Sequence, residues 1–184
     1  MMTYYPTIPT VLNDGTEMIS YAHEGDAGLD LCSTEDVTLL PGQWQMVGSG
    51  VSMAIPKGFV GLVVPRSGLG CKGLVLKNGP GIIDSGYRGE IKMPLYNNNP
   101  THVWLKSYNE NLSQMLRRSI YDLLLRPCTN RGNVSAKGTI HVHKGDRVAQ
   151  LLIVPVAQAS FVQVDTLDES ERGQDGFGST GVRL

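Results

Sequence analysis

The chain has 184 residues, of which 41% are hydrophobic and 18% charged, a composition typical of one globular domain with a sizeable core. Its formal net charge of -1 excludes a broad basic surface for nucleic acid. We find no signal peptide or transmembrane run. Cys32, Cys71 and Cys128 form no C-x-x-C pair, so we expect reduced thiols in a cytosolic protein and no disulfide framework.

Turn residues occur throughout the chain, with 22 glycines and 10 prolines, and they predict an all-β domain. Between residues 11 and about 97, apolar runs predict strands near residues 51–55, 59–64, 74–76 and 90–96. This spacing fits a sandwich, a jelly roll or a barrel. Met46, Met53 and Met93 are expected to fill the core.

Residues 98–137 differ in composition and are interpreted as an insertion into the β fold. Apolar residues recur there at three- and four-residue steps, which predicts a helix over about residues 112–125. They are Leu112, Met115, Leu116, Ile120, Leu123 and Leu124. Pro127 ends the pattern, and the polar flanks are typical of surface loops.

Strand character returns after residue 139. Residues 148–156 predict a strand buried on both faces, and Phe161, Val162 and Val164 suggest one more strand. His141 and His143 share one face of a strand; two histidines can begin a metal site, but no third ligand is evident, so a solvated face is favoured. We expect one domain over residues 1–184, ending in a flexible arm at 172–184.

The arm carries the sequence RGQDGFGSTG, whose parts suit a nucleotide. Glycines let backbone N–H groups approach phosphates, Arg172 and the hydroxyls of Ser179 and Thr180 can donate hydrogen bonds, and Phe177 offers a face for a base. Four further turn segments carry polar groups: AGLDL, PRSGLG, NGPGIIDSGYRGEIK and GDRVAQLL. PRSGLG is not a P-loop, because G-x-x-x-x-G-K-[ST] is absent and no helix is predicted to follow. Each segment alone reads as a structural turn.

In this order, the five segments resemble the five motifs of the trimeric deoxyuridine triphosphatases (dUTPases), a family that includes phage members with an insertion between the third and fourth motifs. The resemblance implies a distorted jelly-roll or β-barrel protomer, and a homotrimer whose three protomers share each active site. It also implies Mg²⁺-dependent cleavage of dUTP to dUMP and pyrophosphate, which limits uracil incorporation into DNA and supplies dUMP for thymidylate synthesis. Asp175 departs from the family, which usually has glycine there.

Site roles follow from the same resemblance. Asp84 matches the general base that activates water at the α-phosphate, and Asp30 matches an acid that acts near the metal through water, while the triphosphate itself holds most of the Mg²⁺. The remaining matches are substrate contacts. Phosphate contacts are Arg66, Ser67, Gly68, Gln150, Arg172 and Ser179; Asn78 and the backbone through Gly81 and Ile83 match the uracil hairpin; Tyr87 matches the ring under deoxyribose; Phe177 and Gly178 belong to the closing arm.

Two alternatives remain open from the sequence. The related dCTP deaminases share the fold and a PRSG-like motif, although they lack this arm and need a glutamate in the third segment. The second alternative is that the insertion adds a protein-binding role to the enzyme. The insertion could instead be a surface segment of the protomer or trimer without a binding role. We expect dUTP as the ligand, and neither nucleic acid nor membrane as a partner.

Overall fold

Antiparallel β-structure dominates the computed structural model, which describes residues 6–99, 138–170 and 173. The strands are short because glycine, proline and polar turns interrupt each apolar run. The elements are β1 Thr10–Leu12, β2 Leu29–Cys32, β3 Val37–Leu39, β4 Trp44–Met53, β5 Phe59–Pro65, α1 Ser67–Gly70, β6 Leu74–Leu76, β7 Gly81–Ile83, β8 Glu90–Asn97, β9 Ile140–Val142 and β10 Arg147–Pro155.

The strands form two four-stranded sheets and one short ladder. The first sheet has the order β1-β4-β8-β6, the second has β2-β10-β5-β7, and β3 pairs with β9. Every neighbouring pair is antiparallel. The all-β, jelly-roll-like prediction is confirmed.

One hydrophobic cluster joins side chains from both sheets. Val47, Ile91 and Leu95 contribute from the first sheet, while Leu31 and Leu151 contribute from the second, and all five are fully buried. Residues alternate between inward and outward along a strand. The second sheet therefore turns Asp30, Val64 and Gln150 away from this cluster.

Three sequence expectations are wrong. No strand forms around Phe161, which is 94% exposed, since no neighbouring strand in the described protomer pairs with it. A single helical turn, α1, does follow Arg66, because Gly70 N–H donates to Arg66 O at 2.9 Å and Cys71 N–H donates to Ser67 O. Met46 is 48% exposed, whereas Met53 and Met93 are buried. Met46 and Met53 are an odd number of residues apart on β4, so they face opposite sides of the sheet.

Residues 97–99 and residue 138, which flank the predicted insertion, lie next to each other in the structure. Asn97 is fully buried, and its side-chain amide donates to Leu39 O and to Gly138 O, both at 2.8 Å. Asn99 also donates to Gly138 O, at 3.1 Å. A buried amide that joins residues 97 and 138 closes the base of the intervening segment. The predicted helix at 112–125 lies outside the described residues, as does Cys128.

Replacing residues 100–137 with a short Gly/Ser linker is expected to preserve the fold and the dUTP hydrolysis that the family resemblance implies. The hydrogen bonds of Asn97 and Asn99 remain, and each doubling of loop length costs only about 0.6 kcal/mol. Thermal unfolding, light scattering and a pyrophosphate assay would check this. As a matched variant, the same replacement with Asn97→Ala should lose about 1–3 kcal/mol of stability, because the buried Leu39 O loses its donor while Gly138 O keeps only the bond from Asn99. An inactive aggregate from the first variant would show instead that the insertion is part of the core.

No helix among the described residues is long and apolar enough to span a membrane.

Candidate active site

Two arginines surround the carboxylate of Asp30. Arg66 Nε lies 3.0 Å from Asp30 Oδ1, a close ion pair without hydrogen-bond geometry, and Arg147 Nη1 donates to Asp30 Oδ2 at 3.2 Å. Arg66 Nη1 also donates to Arg147 O at 3.0 Å. The Asp30 side chain is only 17% exposed. Two guanidinium groups against one carboxylate leave an excess positive charge, which favours an anion such as a phosphate.

Gln150 lies directly opposite Asp30 in the pairing of β10 with β2. Opposite residues of an antiparallel pair place their side chains on the same face, so Gln150 and Asp30 are neighbours on the outward face of the second sheet. Gly28 lies next to the Gln150 side chain: a Cβ at Gly28 would be in van der Waals contact with it, 3.4 Å from Gln150 Cβ. Gln150 therefore sits beside the positive cluster as an uncharged hydrogen-bonding group.

The turn after β5 presents backbone N–H groups to the region around Asp30 and Arg66. Ser67 and Gly68 occupy the first turn of α1, where N–H groups have no partner within the helix. Both residues are exposed, and a Cβ at Gly68 would meet no heavy atom within 4 Å. The structure thus brings Arg66, Ser67, Gly68, Gln150 and Asp30 together at one end of the second sheet.

The hairpin between β6 and β7 carries Asn78, Gly81 and Ile83. Asn78 is exposed in the turn, Gly81 is buried against Val63, and Ile83 packs on the core cluster. The Ile83 side chain points inward, so only its backbone is available to a ligand. Backbone contacts from this hairpin to uracil stay a prediction.

A tight turn after β7 presents Asp84 and Tyr87. Tyr87 N–H donates to Asp84 O at 3.0 Å. Arg88 Nη1 closes the turn by donating to Ser85 O and Tyr87 O, at 2.8 and 2.7 Å. Asp84 is exposed and Tyr87 is 45% exposed. Both side chains are therefore accessible to a ligand.

Asp84 and Arg66 lie toward opposite ends of the second sheet. Arg66 follows Pro65 at the end of β5, whereas Asp84 follows Ile83, which pairs with Gly61. At about 3.3 Å per residue, the two positions are roughly 15–20 Å apart along the sheet. One protomer thus separates the expected base from the expected phosphate contacts.

No group of three or more histidine, cysteine or acidic side chains that could hold a metal ion occurs in the described part of the chain. His141 lies on β9 with Nδ1 3.0 Å from Thr38 Oγ1, and His143 follows the strand, 3.9 Å from Asp36. The Asp30 carboxylate is ion-paired, so it fits an indirect role near a metal held by substrate oxygens, but not a protein cage.

Burial raises the pKa of the Cys32 thiol, and the nearby charge of Asp30 raises it further. The thiol therefore remains protonated, and weakly nucleophilic, at neutral pH. Cys32 and Cys71 are free thiols, and Cys128 lies outside the described residues.

Residue-by-residue reading of the sequence missed three contributors. Arg147 pairs with Asp30, Arg88 closes the Asp84 turn, and the Glu90 backbone carbonyl accepts the Tyr87 hydroxyl at 3.0 Å. All three lie inside the quoted segments, but only the fold shows what they contact. Arg172, Phe177, Gly178 and Ser179 lie outside the described residues.

Comparison with known proteins identifies the family. The dUTPase family model matches residues 14–133 and 132–181. The deoxyuridine 5'-triphosphate nucleotidohydrolase of Leifsonia xyli subsp. xyli is 43% identical over 165 residues, covering 89% of this chain and 85% of that protein. The Nocardia farcinica protein of the same name is 41% identical over 171 residues, covering 92% and 82%.

Solved structures with the same fold include phage enzymes. The dUTPase of Staphylococcus bacteriophage 80alpha with dUPNHPP superposes with a TM-score of 0.82 at 31% identity, covering 97% of this chain and 100% of that chain. A mutant dUTPase from phage phi11 of S. aureus, described as coordinating a structural Mg(II) ion, gives a TM-score of 0.74 at 29% identity, covering 89% and 100%. With motif order, fold and relatives in agreement, this chain belongs to the dUTPase family.

Proposed function

We propose that the chain cleaves dUTP to dUMP and pyrophosphate, acting as a dUTP diphosphatase in active sites that copies of the chain build together. The family match supports the reaction, and the observation that carries the division of the site between copies is the separation of Asp84 from Arg66 along the second sheet. A general base must lie within hydrogen-bond reach of the water that attacks the phosphate chain. Asp84 of one copy would therefore act on a triphosphate held by Arg66, Ser67 and Gln150 of another.

The family resemblance assigns the roles within such a site, and the charge and exposure of the residues support them. Asp84 orients and deprotonates water for in-line attack at the α-phosphate. The backbone of Ser67 and Gly68, with Gln150, holds phosphate oxygens, while Arg66 and Arg147 supply excess positive charge around Asp30. Catalysis of this kind consists mainly of positioning and charge stabilisation.

Magnesium is part of the proposal. The structure of the phi11 relative, with its Mg(II) ion, and the nucleotide-analogue complex of the 80alpha relative support it. When bound, Mg²⁺ would neutralise charge on the triphosphate oxygens. Asp30, whose carboxylate is already paired with two arginines, would contact it through water.

Base and sugar choice would come from the hairpin and the turn that follows it. The backbone from Asn78 to Ile83 would pair with uracil, and a close hairpin would exclude the thymine methyl group. The Tyr87 ring would pack under deoxyribose and exclude a 2′-hydroxyl. The dCTP deaminase alternative is not favoured, since the family model and the relatives cited above carry the dUTPase name.

A homotrimer is the assembly we propose. Residues 156–170 extend away from β10 and expose apolar side chains, including Phe161 at 94% and Leu167 at 86%. Exposed apolar segments mark surfaces that another chain covers. A neighbouring copy would cover this segment and receive the residues beyond it, Arg172, Phe177, Gly178 and Ser179, over its bound nucleotide.

Subunit complementation would test the shared site. Two nearly inactive variants, Asp84→Asn and Arg66→Ala, are co-expressed with different tags, and mixed assemblies are purified on both tags. Each mixed trimer should regain activity, because one of its sites combines Asp84 from the Arg66→Ala chain with Arg66 from the other. Pyrophosphate release from dUTP measures the recovery.

A matched pair controls for nonspecific rescue. Arg66 and Gln150 belong to the same end of one protomer, so mixing Arg66→Ala with Gln150→Ala should recover nothing beyond the parents. No recovery from the first pair, in assemblies shown to contain both chains, would rule out a site divided between copies.

A further inference from the structure

The Tyr87 ring lies across the backbone of Gly89. A Cβ at position 89 would fall 2.5 Å from the Tyr87 hydroxyl oxygen, 2.7 Å from Cζ and 3.2 Å from Cε2. A side chain at position 89 would therefore collide with the Tyr87 ring in its present place. The backbone there is not in the left-handed region, so glycine is needed for space rather than for conformation.

The backbone on both sides of Gly89 is held in place. On one side, Arg88 Nη1 donates to Ser85 O and Tyr87 O. On the other side, the Glu90 carboxylate accepts the Gly50 N–H at 2.7 Å, and Glu90 pairs with Ser52 in the first sheet. A side chain at position 89 would therefore displace the half-exposed Tyr87 ring more readily than the backbone.

One hydrogen bond of the Tyr87 hydroxyl holds the ring in this position. The Tyr87 hydroxyl donates to Glu90 O at 3.0 Å, so an outward swing of the ring would break this bond as well as change the ring's place. The Glu90 backbone thus holds the carbonyl that accepts the Tyr87 hydroxyl, and the lack of a side chain at Gly89 leaves space for the ring. Together they determine where the aromatic face is presented.

We infer that Gly89 is a specificity-determining position: by lacking a side chain it lets Tyr87 take the place from which it excludes the ribose 2′-hydroxyl. This rests on the proposed role of Tyr87 in sugar choice. Gly89 acts through Tyr87 as a positioning residue and touches no reacting atom. Its effect is therefore on discrimination between dUTP and UTP.

Gly89→Ala tests the inference, with Gly86→Ala as its matched control. Gly86 lies in the same turn, but a Cβ there would meet nothing within 4 Å. The measured quantity is kcat/KM for UTP divided by kcat/KM for dUTP. Gly89→Ala should raise this ratio about tenfold or more, in the range that a displaced steric contact supplies, while Gly86→Ala leaves it unchanged. An unchanged ratio in a folded Gly89→Ala protein overturns the inference.

A double-mutant cycle separates this inference from the role of Tyr87. Tyr87→Ala should raise the same ratio, and adding Gly89→Ala to it should have no further effect, because the two act through one ring. If Tyr87→Ala relaxes sugar choice and Gly89→Ala does not, only the Gly89 inference fails. If neither does, the role of Tyr87 fails as well. An additive double variant shows that Gly89 acts by another route and also overturns the inference.

The cycle decides the case even if Gly89→Ala does not fold alone. The double variant Tyr87→Ala/Gly89→Ala lacks the ring that a Cβ at position 89 would strike, so it should recover a folded protein by thermal unfolding. Its failure to fold would mean that Gly89 supports the fold regardless of Tyr87, against the inference.

Discussion

Asp84→Asn should reduce dUTP turnover by about 10²–10⁴-fold, the contribution typical of a general base. The amide keeps the size of the carboxylate but cannot accept the proton of the attacking water. Because Asp84 is exposed and follows β7, folding should be unaffected. Affinity for dUTP, measured by calorimetry on the inactive variant with Mg²⁺, should change little.

An exposed carboxylate elsewhere provides the control for this prediction. Asp14 lies in a surface turn outside the proposed site, and Asp14→Asn should turn over dUTP at the parental rate. Turnover by Asp84→Asn within a few-fold of the parent protein would remove Asp84 from the role of base. A large loss of affinity would point instead to a role in binding.

Ending the chain before Arg172 should leave a folded trimer whose dUTP turnover falls by roughly 10²-fold or more. The core and every described strand end by Pro155, so the fold does not require the last residues. The lost groups include the arginine, hydroxyl and backbone donors proposed to close over the triphosphate, and removing even one such donor typically costs about 10²–10³-fold in rate. Light scattering and kcat would measure the two effects.

Protease protection examines the same arm as a closing lid. With Mg²⁺ and a non-hydrolysable dUTP analogue, the intact arm should become resistant to cleavage, because the closed lid is less accessible. Phe177→Ala should weaken this protection while leaving the assembly intact. Equal cleavage with and without the analogue would contradict the lid.

Local sequence patterns predicted those strands whose boundaries are marked by turn residues. The run at 74–76 is β6 itself, and the run at 59–64 is β5 apart from its last residue. Phe161 and its neighbours have comparable β character but form no strand, since a strand also needs a partner edge. Apolar pattern thus indicates the capacity to form a strand, and pairing decides whether it forms.

Local sequence patterns predicted the candidate site only in part. The quoted segments contain its residues, but Asp30, Arg66 and Arg147 meet because β2, β10 and β5 are neighbours, a long-range pairing that no local window shows. The separation of Asp84 from Arg66 also depends on register, which fixes Ile83 opposite Gly61. The motifs thus indicated which residue types take part. Strand pairing showed that Asp84 and Arg66 of one protomer lie far apart along the second sheet.

Hydrogen bonds also link the base of the predicted insertion to the segment that follows α1. Asn99 donates to Gly138 O and, at 3.3 Å, to Lys72 O, while Asn98 N–H donates to Gly73 O at 2.7 Å. Lys72 and Gly73 follow α1, whose first turn presents Ser67 and Gly68. A force that moved Asn99 would therefore pull on the segment that supports the phosphate-binding turn. A substitution at Asn99 is therefore expected to disturb both the base of the predicted insertion and the segment behind the proposed phosphate-binding turn.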